Sequence, residues 1–222
     1  MELDPLLDFV NFPEKADRSA YIAEKFGSHL SGRVLDVGCA EMVLKKLRPD
    51  LRYTGIDIDG EPDLKLNLEK IDRLPFDDGA FDVTVCTDVL EHLDNLHFIF
   101  GELVRVTAKT LIVSLPNNWA NARQPIARGR GSFMFYGLPL DPPPDRHKWF
   151  FGYTDAVNFF RGIAPRYALE TLEMRVCDKP RLLPVRALRR LRHPSRNAYL
   201  NRFSHTVWAV YRKPVKSAAS GA

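Results

Sequence analysis

Short apolar runs rich in β-branched residues alternate with amphipathic stretches through the first half of the chain. Residues 33–37 (RVLDV), 52–56 (RYTGI), 81–86 (FDVTVC) and 110–114 (TLIVS) are of the first kind. Runs of this length, nearly continuous in apolar character and bounded by turn residues, predict strands buried on both faces of a parallel sheet. Residues 17–29, 41–47 and 89–106 predict helices between them. Strands alternating with helices predict an α/β, doubly wound sheet with right-handed crossovers. A ligand is expected in the crevice beyond the carboxyl ends of the strands.

After Leu115 the pattern breaks. Residues 116–148 hold many Pro, Gly, Asn and Arg residues among scattered aromatics, and include the run Asp141-Pro-Pro-Pro-Asp145. A connection of this length inside one domain predicts a functional lid, placed at 117–150, with Phe133, Phe135, Tyr136 and Trp149 as its apolar contacts. A helix is expected to resume at Thr154, where Thr154-Asp155 would cap residues 156–161. Residues 167–176 and 206–211 predict two closing strands. Between them, at 179–202, lies a basic segment in which Val185, Leu188 and Leu191 share one helical face. Pro184 suits the first turn of that helix and Pro194 the residue just beyond its end. The expectation is one domain over 1–213, with a disordered small-residue tail at 214–222.

Composition changes this picture in one respect. Hydrophobic residues make up 45% and charged residues 27%, an ordinary globular balance. Cys39, Cys86 and Cys177 are too far apart for a disulfide framework or a zinc spacing, and no metal site is expected. No secretory signal pattern opens the chain and no apolar run approaches the ~20 residues that span a bilayer. The reading is therefore a cytoplasmic protein with reduced thiols. The net charge of +4 hides an asymmetry. Eight Lys and Arg residues and no acid lie between Lys179 and Arg202, whereas the rest of the chain is net acidic. Three readings stay open for that segment: a solvated surface helix, a contact with phosphates of a substrate or of RNA, or a peripheral contact with an anionic membrane surface at the inner membrane face.

The stretch Val34-Leu-Asp-Val-Gly-Cys-Ala-Glu41 carries the most chemistry. A strand entering a glycine turn and then a helix brings backbone amides and a positive helix end close to a ligand. Gly38 permits close approach of the chain. Asp57 lies at the end of the second strand, where a carboxylate can accept the ribose hydroxyls of an adenosine ligand. Asp36 suits ordering the turn as well as it suits touching a ligand, and Asp59 reads as a turn former. Cys39 and Cys86 read as small fillers.

In order and spacing, LDVGCA, GIDID, LPFDDGAFDVTVCTDVLEHL and LIVSLPN resemble the successive motifs of class I S-adenosylmethionine-dependent methyltransferases. The similarity spans Gly32 to Asn117 and is nearest to the small-molecule group of quinone- and methionine-biosynthesis-type enzymes. The resemblance implies a Rossmann-like, mostly parallel seven-stranded sheet with an antiparallel last strand at 203–211. The lid then follows strand five, and the basic insertion separates strands six and seven. It implies S-adenosyl-L-methionine as cofactor. Asp36, Gly38, Cys39 and Ala40 would lie along its methionine portion, Asp57 with Ile58 at the ribose, and Asn67 and Leu68 beside the adenine. Thr87, with Cys86 and Asp88, would line the opening. The usual Gly-x-Gly-x-Gly turn here has Ala40 and Met42 at its second and third positions.

Methyl transfer from a sulfonium needs an aligned acceptor, and a hydroxyl acceptor needs a base. The candidate catalytic residues are His147, His92 and Asp88. Asp88-Val-Leu-Glu91 also reads as a capping box for the helix beginning at Val89. His92 sits in that helix's first turn, and His147 is suited either to proton transfer or to packing the lid shut. The sequence lacks an Asn/Asp-Pro-Pro-Tyr motif. A small-molecule acceptor methylated on oxygen, such as a lipid- or phosphate-linked saccharide, is the favoured expectation. An RNA methyltransferase and an inactive binding module of the same fold are the alternatives.

Overall fold

The computed structural model describes residues 3–131, 135–143 and 145–214. Phe133 and all but the first residue of the expected tail lie outside the described residues.

The apolar runs pair into one sheet because a strand apolar on both faces is satisfied only between two helical layers. In chain order the elements are β1 (Leu6–Phe9), α1 (Lys15–Lys25), β2 (Arg33–Val37), α2 (Val43–Leu47), β3 (Arg52–Asp57), β4 (Leu64–Lys65), β5 (Phe81–Thr87) and α3 (Leu96–Val106). Then follow β6 (Thr107–Pro116), α4 (Asn118–Ala127), α5 (Tyr153–Arg166), β7 (Glu170–Asp178), α6 (Leu183–Arg192), α7 (Arg196–Phe203) and β8 (Ser204–Arg212). The strand order is β1-β7-β8-β6-β5-β2-β3-β4. Only β8 runs against its neighbours, pairing antiparallel with both β6 and β7.

One face of the sheet packs on α3 and α5 through Ile99, Phe100, Leu103 and Phe160. The other packs on α1 and α2 through Tyr21, Phe26 and Leu44 around the fully buried Trp208. Tyr21 and Phe26 lie 5.3 and 5.4 Å from the Trp208 ring, centroid to centroid. The layers are therefore closed by large apolar surfaces, which dominate the stabilisation.

Several sequence expectations are corrected. The sheet has eight strands, not seven. The extra one, β1, pairs in parallel with β7 from Leu6↔Arg175 to Phe9↔Asp178. An edge strand this short shows little hydrophobic pattern, and its Asp8 is held by Arg175 and Tyr21, not by any sequence neighbour. The helix expected over 89–106 is a single turn at Leu90–His92 followed by α3. The break occurs where Asn95 turns its amide onto the Leu68 carbonyl and the Asp94 amide donates to Glu69. α5 starts one residue earlier than expected. Its cap is Gly152, whose amide donates to Asp155, while Thr154 is engaged with Asn201. β7 begins at Glu170 because α5 runs on to Arg166, and Phe203 ends α7 instead of opening the last strand. The lid region opens with a regular helix, α4, and the basic segment forms two helices.

Asn117, fully buried at the end of β6, joins these pieces. Its side-chain oxygen accepts the Ala120 amide at the start of α4. Its Nδ2 donates toward the carbonyls of Leu200, Asn201 and Ser204 at the end of α7. Replacing Asn117 with Ala leaves buried carbonyls without a donor, so N117A is expected to lose about 2 kcal/mol, read as a lower urea midpoint at unchanged slope.

Candidate active site

The carboxyl ends of β2, β3, β5 and β6 lie side by side, and the turns that leave them form the crevice. The turn after β2 is shaped by three left-handed residues: Gly38 at φ 78°, Ala40 at 46° and Met42 at 50°. At Gly38 the requirement is also steric. A Cβ there would lie 2.2 Å from Cγ2 of Val89. Ala40 and Met42 adopt the same backbone region with side chains attached, a strain of about 1–2 kcal/mol each.

Asp57 holds this turn. Its Oδ2 accepts the Ala40 amide at 2.8 Å, and its Oδ1 accepts the amides of Ile58 and Asp59 at 2.7 and 3.2 Å. Oδ2 retains acceptor capacity toward the crevice. Beside it, Ile58 is 54% exposed, leaving a large apolar side chain bare at the mouth. Asn67 caps the short turn Leu68–Lys70 by accepting the Glu69 amide, and Leu68 is buried in the core. Both side chains are thus engaged by the protein, which leaves backbone at that wall. Asp36 accepts the Tyr53 hydroxyl at 2.7 Å, and burial lifts its pKa to about 6. Its contacts are those of a turn-ordering residue. Cys39 fits against Gly55, and burial pushes its thiol up to about 12. Cys86 is fully buried with its thiol raised well above the ordinary value by desolvation. Thr87 is half-buried at the end of β5.

Asp88 follows Thr87 and is not a helix cap. Its left-handed backbone, φ 49°, turns the chain out of β5, and Val89 takes the position ahead of the short helical turn. The Asp88 carboxylate instead accepts the Ser114 hydroxyl at 2.5 Å and pairs with Arg18 at 2.7 Å. Glu91, expected to complete the capping box, is 1% exposed and its Oε2 has no partner among the described residues. Burial first, and the Asp88 charge second, raise its pKa well above the carboxylate range.

Over this turn the lid places His147. Its ring stacks on Phe135 at 4.4 Å and meets His92 edge-on at 4.5 Å. The His147 Nδ1 lies 3.0 Å from Asn118 Oδ1 and 3.0 Å from the Tyr136 hydroxyl oxygen, whose proton is donated to the Trp149 carbonyl. Both neighbours therefore act as acceptors, so Nδ1 carries the proton and Nε2 keeps its lone pair. Burial, with the nearby His92, lowers the His147 pKa to about 4. His92 is set similarly, with Nδ1 2.5 Å from Asp145 and Nε2 3.7 Å from Glu91. Ligating atoms of Glu91, His92 and His147 all lie within 4.8 Å of one another. The lid is pinned by Trp149 Nε1 donating to the Leu93 carbonyl and by Lys148 paired with Glu69 and Asp94.

The structure thus brings His92 and His147 together and sets Asp88 to one side of them, held by Arg18. Sequence reasoning missed Glu91 as a member of the cluster, and missed Asn118 and Asp145 as the groups that orient the imidazoles. The available signal was an acid and a histidine, Glu91-His92, at a strand end. Their partners lie more than fifty residues away and share no local spacing with them.

The basic helix α6 is inverted relative to an ordinary surface helix. Arg186, Arg189 and Arg190 lie over the rings of Phe9, Phe203 and Tyr199 at 3.5, 4.2 and 4.7 Å. Val185, Leu188 and Leu191 consequently face outward, Leu191 with 80% of its surface exposed.

Residues 35–112 match a family described as a methyltransferase domain. No curated protein matches the chain. Among solved structures, a SAM-dependent methyltransferase from Archaeoglobus fulgidus aligns with TM-score 0.58 at 14% identity, over 91% of this chain and 96% of its own. One from Methanosarcina mazei aligns at 0.50 and 18%, over 87% and 98%. The small RNA methyltransferase HEN1 aligns at 0.58 and 18%, over 99% of this chain but 28% of HEN1. Residues 35–112 thus resemble a methyltransferase domain, and the described chain shares the fold of methyltransferases that use S-adenosyl-L-methionine as cofactor. Among the described residues no helix is long and apolar enough to cross a membrane.

The crevice fits that cofactor in two observed respects, the acceptor capacity of Asp57 beside the bare Ile58 and the Gly38 turn whose backbone lacks a Cβ. Asp57→Ala removes both a ribose acceptor and the anchor of the turn, and is expected to weaken S-adenosylhomocysteine binding at least about tenfold by calorimetry. Met42→Gly relieves a left-handed residue and is expected to raise the unfolding midpoint, since the relief of about 1–2 kcal/mol exceeds the entropic cost of glycine.

Proposed function

We propose that the protein is an S-adenosylmethionine-dependent methyltransferase acting on a hydroxyl oxygen of a small molecule, a saccharide carried on a phosphate or lipid, with His147 as the general base. The observation behind this reading is the orientation of His147. Asn118 and Tyr136 hold its Nδ1–H, which leaves the Nε2 lone pair as the ring's acceptor. The bound cofactor supplies an electrophilic methyl group on a sulfonium. The protein's tasks are then to orient the acceptor and to remove its proton as the new O–C bond forms. His147 Nε2 takes that proton. Burial keeps the imidazole neutral at physiological pH, so the base is unprotonated before the acceptor arrives. His92, tied to Asp145, lies against the same ring and can share the incoming charge. Asp88, neutralised by Arg18, is a positioning residue at the floor of the opening. Trp149, Phe135 and Tyr136 cover the cluster and exclude water.

The convergence of Glu91, His92 and His147 supports a second reading. Two imidazoles and a carboxylate oxygen that is unpartnered among the described residues suit a divalent cation that would lower the pKa of the acceptor hydroxyl. An RNA acceptor rests on the basic segment alone, and an inactive binding module rests on Ala40 and Met42. The outward apolar face of α6 supports the proposal of peripheral contact with an anionic membrane surface.

His147→Ala is expected to lower kcat by about 10²–10⁴-fold while leaving S-adenosylhomocysteine affinity unchanged. For the wild type the sign of the pH effect follows from the lowered pKa: the base form persists as pH falls through 6.5 and is lost only near 4. An acid limb near 4 that chelator treatment leaves intact supports His147 as base. Activity abolished by a chelator and restored by Mn²⁺ selects the metal reading, and full activity in H147A excludes both.

A further inference from the structure

Away from the histidine cluster, a cleft of about 290 Å³ lies between the second half of α4, the β7–α6 connection and the α7–β8 junction. Arg123, Arg128, Arg130, Lys179, Arg181 and Arg202 line it, and none of the six forms an ion pair with a described residue. The cleft holds one acid, Asp178, which is 1% exposed and already accepts the Tyr199 hydroxyl at 2.7 Å. Arg189 lies 4.0 Å from its other oxygen.

Arg123 shows what this arrangement costs the free protein. Its guanidinium sits over Phe203, its Nε is buried with no partner, and burial with repulsion from Arg202 and Arg189 holds its pKa below the ordinary arginine value. Like charges gathered in a concavity focus the field and raise the local concentration of anions. Planar guanidinium groups match phosphate oxygens two at a time, and a single carboxylate would neutralise only a small part of this charge. A ligand with several negative charges in a compact volume answers all of these features.

The cleft is coupled to the reaction site through α4. Asn118, the first residue of α4, orients His147, and Arg123 follows five residues later, about 8 Å along the helix axis.

We infer that this cleft is the binding site for the phosphate or diphosphate group of the methyl acceptor, held by Arg123, Arg128, Arg130, Lys179, Arg181 and Arg202. The inference rests on the hydroxyl-methylation reading for the term "acceptor", but the anion site stands on its own geometry. The residues are three from α4 and its end, two from the β7–α6 connection and one from α7, so only the folded chain assembles the site. A cleft of about 290 Å³ suits a compact polyphosphate better than an extended nucleic acid, which needs a groove that tracks its backbone.

The test titrates inorganic pyrophosphate into the full chain saturated with S-adenosylhomocysteine, by calorimetry in about 0.15 M salt. The wild type is compared with the double variant R128A/R181A, whose two side chains are exposed. Binding to the wild type, weakened about tenfold or more in the variant at unchanged S-adenosylhomocysteine affinity, is the expected result. No binding, or equal binding in the variant, overturns the site. Tighter binding of a single-stranded RNA oligonucleotide than of pyrophosphate, with a steep salt dependence, also overturns it. Competition by a nucleoside diphosphate sugar, or by vesicles containing a lipid monophosphate, keeps the site and tells a soluble from a lipid-borne phosphate. Pyrophosphate binding without turnover of any hydroxyl acceptor sinks the hydroxyl-methylation reading alone. Turnover of a neutral acceptor without pyrophosphate binding sinks the phosphate site alone.

Discussion

The approach of Gly38 to Val89 governs how the crevice is built. Two turns, one leaving β2 and one leaving β5, come so close that no side chain can stand between them. That closeness sets the left-handed turn at Gly38, which the chain continues through Ala40 and Met42. It also orients the Ala40 amide toward Asp57, so that the ends of β2 and β3 are joined by a charge-assisted hydrogen bond. On the other side, the left-handed residue Asp88 directs the chain into the short turn that presents Glu91 and His92. The two halves of the site are therefore two consequences of one close packing at the sheet's carboxyl edge.

Around this edge some charged groups are paired, as Asp88 is with Arg18 and Lys148 with Glu69 and Asp94, and others are not. One carboxylate oxygen of the buried Glu91 has no partner among the described residues, His147 is held neutral, and six cations share a cleft with the single acid Asp178. Other ionic groups are paired in the ordinary way, as Arg105 is with Glu102 and Asp78, and Arg175 with Asp8 and Glu173. Uncompensated polar groups lower stability, and they persist where a ligand completes them. Asn118, which orients His147, opens α4, and Arg123 of the cleft lies on the same helix. The arginines of α6 differ. They stack on Phe9, Phe203 and Tyr199, so they act as packing groups and turn the helix's apolar face outward.

Much of this was legible in the chain. The buried strands β2, β3, β5 and β6 declare themselves by apolar runs whose composition suits no other setting, and their alternation with helices dictates the layered sheet. Gly38 and Asp57 are readable because a glycine turn and an acid at a strand end are local features with a local cause. Ala40 and Met42 read as departures from the turn pattern. The structure shows why glycine suits those positions, since both residues adopt a left-handed backbone.

What only the tertiary structure decided involves residues distant in sequence. The edge strand β1 exists because β7 offers it a partner, and its own residues carry no pattern strong enough to announce it. Asp88 and Glu91 satisfy a capping motif by type and spacing, yet Ser114, Arg18 and burial against the core assign them elsewhere. His92 and His147 meet because the lid folds back over the turn after β5, and the cationic cleft forms because α4 lies beside the β7–α6 connection. Sequence by itself determined the elements and the turn chemistry, because strand burial and glycine geometry act over a few residues. The reacting cluster and the anion cleft depend on which distant side chains share a low-dielectric space, and that is settled only when the layers close.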